Sequence, residues 1–163
     1  MTPYLDQVAR KTASEVFHAK SWGMSWGHEI INELKAVALA SERHRARLCL
    51  HPSPEDFHQE MLIVLAKSAI ERPQRRTIGF DTKIVMEGRA SFHFFSEGGD
   101  ELSVIKMGDR GALYVHTCSP DYHSIVVESD WFVFLEILDG PFNSSTTEFA
   151  PWGQREEGVV AND

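Results

Sequence analysis

The pattern of apolar and polar residues changes character near residue 45. Before that point, apolar residues recur every three or four positions, a spacing typical of amphipathic helices. It predicts a first helix over residues 5–17 and a second over 30–38, with a glycine-containing turn between them. The positions on the two apolar faces are Leu5, Val8, Ala9, Ala13, Val16 and Phe17, then Ile30, Ile31, Leu34, Val37 and Ala38.

From residue 45 onward, short apolar runs are separated by turn residues, which is typical of an all-β domain. Residues 87–89 and 96–100 each have the composition of a tight turn between two strands. Phe92 alternates with polar neighbours in a way that predicts one buried aromatic face. Eight short strands in about ninety residues favour an antiparallel jelly roll or small barrel. The predicted strands cover 45–50, 61–70, 82–87, 90–96, 102–107, 111–116, 123–128 and 131–138.

Length and charge narrow the class of protein. The chain has 163 residues, 42% of them hydrophobic, and a net charge of −8, which indicates one globular domain. An acidic chain is a poor general binder of nucleic acid or anionic lipid. The longest apolar run, 131–135, is far too short to span a membrane. With no signal peptide recognised, we expect a cytoplasmic protein in which Cys49 and Cys118 are reduced thiols.

The domain organisation predicted from these patterns has three parts. Residues 1–44 form a helical lead-in, 45–157 the β domain and 158–163 a flexible tail. Trp22 and Trp26 lie in the turn of the lead-in, where we expect them to pack on the domain or at a subunit interface. Jelly rolls leave sheet edges that need cover, so a homodimer is expected.

A chemically informative stretch begins at residue 72. Gln74, Arg76, Asp81 and Gly88 have the spacing of the first cupin motif, His-x-His-x(4)-Glu-x(6)-Gly. Gln74 and Arg76 stand at the two histidine positions, and Asp81 stands at the glutamate position. The run that ends at His123 resembles the second cupin motif and keeps its histidine. The resemblance implies an all-β cupin fold whose metal-binding positions are largely replaced.

Other segments resemble one group in particular, the WbuC-type cupins, which occur among polysaccharide biosynthesis genes. The run from Glu148 to Trp152 is the most specific of these segments. Together they span roughly residues 40–157. The matching segments are 45–52, 72–73, 87–89, 136–142 and 148–152.

The replaced positions are poorly suited to a metal ion. Cupins hold iron, manganese, nickel or zinc with imidazoles and one carboxylate. Arg76 has no lone pair to offer, and Gln74 offers only a weak amide oxygen. We therefore expect the protein as purified to lack a stoichiometric transition metal. If one binds at this motif, Asp81 and His123 are its ligands.

Two interpretations of the motif stay open. In the first, Arg76 pairs with Asp81 and fills a pocket that no longer binds a ligand. In the second, Arg76 faces a ligand and binds a phosphate or carboxylate, for which a guanidinium is well suited. Glu136 lies in an apolar strand, where we expect it to point inward as the partner of an arginine or as a general base. The candidate ligand-binding residues are Arg45, Arg47, His51, Gln74, Arg76, Asp81, His123 and Glu136.

Three functions are compatible with the sequence. The first is a metal-free cupin that binds a small anionic carbohydrate or sugar nucleotide. The second is a metal-dependent sugar isomerase or epimerase that uses Asp81 and His123. The third is an assembly or regulatory protein with a vestigial pocket. Whether the chain is an enzyme is left open.

Overall fold

The computed structural model describes residues 3–21, 23–118 and 120–153. Two α-helices lie near the N-terminus, α1 (Tyr4–Val8) and α2 (His28–Ala40), and a short 3-10 turn covers Ser144–Thr146. The described residues also contain ten strands, joined by turns and loops. They are β1 (Ala9–Ala13), β2 (Val16–Ala19), β3 (Arg45–Cys49), β4 (His58–Ala66), β5 (Gln74–Arg76), β6 (Asp81–Phe95), β7 (Glu101–Met107), β8 (Tyr114–Thr117), β9 (Tyr122–Asp139) and β10 (Thr147–Phe149).

The strands form one sheet that folds over into two layers. The long strands β6 and β9 pair along almost their whole length and belong to both layers. The first layer contains β1 to β4, the C-terminal half of β9, the N-terminal half of β6, and β8. The second contains β10, β5, the other halves of β9 and β6, and β7. Pairing between these named strands is antiparallel except between β2 and β3. The prediction of an antiparallel β jelly roll is therefore confirmed.

The predicted hairpin turn at residues 87–89 is wrong, because β6 continues through it. Gly88 has a φ of +83°, a conformation that favours glycine. A Cβ there would lie 1.9 Å from the carbonyl oxygen of Trp131. On the facing strand, the Ser129 hydroxyl accepts the Arg89 N–H at 2.8 Å and donates to the Trp131 carbonyl at 2.6 Å. These contacts kink both strands where they pass from one layer to the other. The residues at the kink in β6 have the composition of a turn between two strands, which explains the wrong prediction.

Replacing Gly88 with alanine is expected to lower the free energy of unfolding by about 2–3 kcal/mol, because the new Cβ meets backbone and the φ is strained. Gly98→Ala is the matched control, since a Cβ there meets its nearest atom at 3.8 Å and φ is not positive. Urea denaturation of both variants measures the difference. Equal stability of the two would mean that the kink does not depend on Gly88.

The predicted first helix is also wrong beyond residue 8. Strands β1 and β2 form a hairpin, and β2 joins the sheet through parallel pairing with β3. Phe17 and Ala19 are buried while their neighbours are more exposed, which is the two-residue period of a strand. Sheet pairing and burial outweigh the helical spacing of the same apolar residues. The second predicted helix is confirmed as α2.

Two apolar cores flank the first layer. Helix α2 covers the outer face, where Ile30, Leu34 and Leu48 are fully buried. The inner face packs between the layers around Phe92, Phe132 and Phe134. Trp26 packs on the outer core, whereas Trp22 and the predicted tail lie outside the described residues. The domain boundaries remain a prediction.

Candidate functional site

A buried lysine lies at the centre of the polar residues inside the barrel. Asp81 and Lys83 are two positions apart on β6 and share its inner face. Glu136 lies directly opposite Lys83 on β9. The Lys83 ammonium donates to Oδ2 of Asp81 and lies 2.9 Å from Oε1 of Glu136. Because Lys83 is only 3% exposed, this cation is held by two carboxylates away from bulk water.

The two carboxylates keep Lys83 charged. Burial alone lowers the pKa of the ammonium, but attraction to Asp81 and Glu136 outweighs it, so the pKa is raised above its ordinary value. The ammonium also lies 4.9 Å from the centroid of the Phe92 ring, a favourable cation–π distance. Lys83 therefore acts as a fixed positive charge and not as a neutral amine nucleophile.

His123 completes this interior group. It is the register partner of Gln74 on β5 and of Phe94 on β6. Its Nε2 lies 3.8 Å from Oδ2 of Asp81, and its ring packs edge-on against Phe92 at 5.1 Å. Burial, followed by the charge of Lys83, lowers the pKa of His123 to about 4. The imidazole is therefore neutral at physiological pH.

These residues do not fit the metal that the cupin fold commonly holds. Asp81, the carboxylate of the motif, already binds the ammonium of Lys83. A dication beside Asp81 and His123 would meet this buried positive charge at close range, where repulsion is strong. Oδ1 of Asp81 is buried without a hydrogen bond within the described residues, but the ammonium of Lys83 already binds the other oxygen of this carboxylate.

Arg76 does not pair with Asp81, contrary to one of the two interpretations of the motif. Its guanidinium lies 3.2 Å from Oδ1 of Asp139 and 3.3 Å from the carbonyl oxygen of that residue. The nearer partner of Asp81 is Lys83, which lies two residues along the same strand. Because the ammonium of Lys83 binds the Asp81 carboxylate from inside the barrel, Arg76 has a different partner. Its contact with Asp139 connects the ends of β5 and β9.

The arginines of β3 have two different environments. Arg45 binds Glu15 at 2.9 Å and Glu71 at 2.7 Å, so its charge is neutralised. Arg47 is exposed, and its register partner Ile63 packs on the inner core. Its guanidinium makes no ion pair with any other residue that the structure describes. Among the described residues, Arg47 is thus a cation without an ion-pair partner, on the inner side of the first layer.

His51 lies on the same side of the sheet, just beyond the end of β3. It is 3% exposed, and burial, as the largest effect, lowers its pKa. It borders a cavity of about 250 Å³ whose other lining residues are Gly23, Met24, Trp26, Leu50, His58 and Glu60.

The sequence analysis missed three residues that could take part in binding or catalysis. Lys83 was overlooked because lysine is usually exposed. Cys49 was interpreted as an isolated reduced thiol and His18 was not considered, yet with His51 they form a compact group whose ligand atoms lie within 4.8 Å of one another. The available signal was Cys49-x-His51, since residues two apart on an extended segment share a face. His18 joins them only through the β2–β3 pairing, which the helical interpretation excluded.

The jelly roll with two long strands shared between its layers is a cupin fold, and structural comparison agrees. Protein SO0799 from Shewanella oneidensis aligns over 58% of this chain and 63% of that chain, with 9% identity and a TM-score of 0.51. Oxalate decarboxylase from Bacillus subtilis aligns over 64% of this chain and 27% of that chain, with 17% identity and a TM-score of 0.50. This chain covers less than two thirds of either protein, and at these identities the likeness shows the fold alone.

Sequence comparison adds little about function. A domain of unknown function, DUF6016, matches residues 27–107. No curated protein matches the chain. Membership of the WbuC-type group remains a prediction. Within the described residues, no helix has both the length and the apolar character needed to cross a bilayer.

Proposed function

We propose that this cupin-fold chain binds a small anionic carbohydrate or sugar-nucleotide-like ligand at the open side of the barrel, beside Arg47, with no metal at the cupin motif. The observation that carries the proposal is the guanidinium of Arg47 on the inner side of the sheet, which makes no ion pair among residues 3–21, 23–118 and 120–153. The proposal assigns binding and leaves open whether any reaction follows.

The charge of the chain makes a local cation important. With a net charge of −8, the protein as a whole repels anions at long range, although salt screens charges separated by more than about 8 Å. Arg45 and Arg76 are already paired with carboxylates. Arg47 is the candidate from the sequence whose guanidinium stays available to a phosphate or carboxylate, which it can bind through two hydrogen bonds.

The interior cluster disfavours the metal-dependent isomerase or epimerase. That alternative needs a metal bound by Asp81 and His123, but the carboxylate of Asp81 already forms an ion pair with Lys83. The carbohydrate part of the proposal is supported by the resemblance to WbuC-type cupins, and the anionic part by Arg47. A homodimer and a cytoplasmic location remain predictions.

Thermal shift measurements in the presence of a chelator test the proposal. Glucose 1-phosphate, galacturonate and UDP-glucose are expected to raise the melting temperature, whereas neutral glucose is not. Arg47→Ala should remove most of the shift, since loss of a charged hydrogen-bonding partner costs about 2–5 kcal/mol of affinity.

Arg110→Ala is the matched control, because Arg110 is exposed in the turn between β7 and β8. Its ligand-induced shifts should equal those of the parent protein. If no anion raises the melting temperature, or if the two variants respond alike, the binding site beside Arg47 is excluded.

A further inference from the structure

His18, Cys49 and His51 lie together although they come from three separate positions in the chain. Cys49 ends β3, His51 follows two residues later, and His18 is the register partner of Cys49 on β2. The rings of His18 and His51 stand edge to face at 5.7 Å. None of the three belongs to the interior group around Lys83.

The distances suit a metal ion with three protein ligands. Atoms separated by at most 4.8 Å lie within about 2.8 Å of a common point, and bonds from zinc to nitrogen or sulfur are about 2.0–2.3 Å. Each ligand atom therefore needs to move inward by about half an ångström. Small side-chain rotations supply a movement of that size, so the strands can stay in place.

Each imidazole has its Nδ1 in contact with a polar neighbour. Nδ1 of His18 lies 2.9 Å from the Thr12 hydroxyl, which itself donates to the carbonyl of Val16. Nδ1 of His51 lies 3.1 Å from the carbonyl oxygen of Glu60 and 3.0 Å from the backbone nitrogen of the same residue. In the tautomer with the proton on Nδ1, each ring donates to oxygen and offers the Nε2 lone pair to a metal. Metal binding selects this tautomer for His51, whose Nδ1 otherwise accepts the Glu60 N–H. This orientation by an outer hydrogen bond is the usual arrangement of histidine ligands.

We propose that His18, Cys49 and His51 form a binding site for a thiophilic transition-metal ion, represented by Zn²⁺, with a fourth coordination position left for water. Two imidazoles and a thiolate are ligands that select zinc or copper over magnesium or calcium. The site is separate from the cupin motif, whose residues hold the ammonium of Lys83.

The charges around the site have both signs. The negative charge that favours a metal ion forms only when Cys49 loses its proton. Burial, as the largest effect, raises the pKa of Cys49 to about 11, so the free protein carries a neutral thiol. Arg47 opposes that shift and Glu136 adds to it, while Arg47 and Arg10 also lower the pKa of His18, so the ion must overcome the repulsion of these two cations. A bound dication displaces the thiol proton, and the resulting thiolate offsets one of its two charges. Partly exposed His18 gives the ion a route from solvent.

Cobalt titration of reduced, chelator-stripped full-length protein tests the site. We expect one Co²⁺ per chain and a thiolate-to-cobalt charge-transfer band, both abolished by an equivalent of Zn²⁺. Cys49→Ser should remove the band, and His18→Ala should weaken Co²⁺ binding at least about tenfold. Cys118→Ser is the matched control, because Cys118 is the exposed second cysteine, and it should keep both the band and the affinity.

Absence of a band in the parent protein, an unchanged band in Cys49→Ser, or its loss in Cys118→Ser would each overturn the proposal. If circular dichroism shows that Cys49→Ser is unfolded, His18→Ala and Thr12→Val decide. Thr12→Val removes only the exposed partner of His18, so it should weaken Co²⁺ binding several-fold and keep the band, and unchanged affinity in both variants would overturn the site. The anion proposal is tested in chelator and stands or falls separately.

Discussion

Lys83→Met is expected to lower the free energy of unfolding by about 3–5 kcal/mol at neutral pH, the cost typical of breaking a buried ion pair. Methionine fills a similar volume but carries no charge. Asp81 and Glu136 would then face each other inside the barrel without the cation that now binds both. Urea denaturation at about pH 7 measures the loss.

Two further variants separate the charge from the packing. Lys106→Met breaks an exposed pair with Glu128, since the Lys106 side chain is 66% exposed, and it should change stability by less than about 1 kcal/mol. Replacing Asp81 and Glu136 with leucine in the Lys83→Met background should restore much of the loss, because no buried charge remains. If Lys83→Met is as stable as the parent protein, the ammonium does not hold the cluster together.

The fold was largely predictable because strand patterns are local. Alternation such as that around Phe92 records which side of a strand is buried, and it located most of both layers. The kink at Gly88 was misread, since glycine between charged residues has the same composition in a kink as in a hairpin turn. The hairpin of β1 and β2 was misread as helix because its apolar residues also fit a spacing of three to four. Only the pairing of β2 with β3 favours the extended conformation over the helix.

The candidate site was less predictable because its members come from distant segments. The cupin spacing did locate Asp81 and His123, which the structure places 3.8 Å apart. The same spacing suggested Arg76 as the partner of Asp81, since sequence alone cannot show that Lys83 reaches the carboxylate first. The group of His18, Cys49 and His51 depends on a parallel strand pairing, which leaves no signature in either segment alone.

The stability of the protein is expected to fall as the pH drops from about 6.5 toward 4, and His123 should be a main cause. Its pKa in the folded protein is about 4 against an ordinary value of 6.5, because of burial and then Lys83. The unfolded chain therefore takes up a proton in this range while the folded chain does not, and stability rises with pH. The favourable effects of Glu136 and the Asp121 backbone on the charged imidazole are smaller.

Comparing His123→Leu with the parent protein isolates this contribution. Leucine fits the apolar contacts with Phe92 and Phe94 and cannot titrate. Between about pH 7.5 and 5, the parent should lose about 2 kcal/mol more of its unfolding free energy than His123→Leu, as linkage predicts for one such group. His18, whose pKa burial and then His51 lower to about 4, titrates in both proteins, and a chelator keeps metal from affecting it. His58→Gln is the control, since the His58 side chain is 60% exposed, and it should follow the parent at every pH. Parallel pH profiles for His123→Leu and the parent would show that the buried imidazole takes up its proton as readily in the folded chain as in the unfolded one.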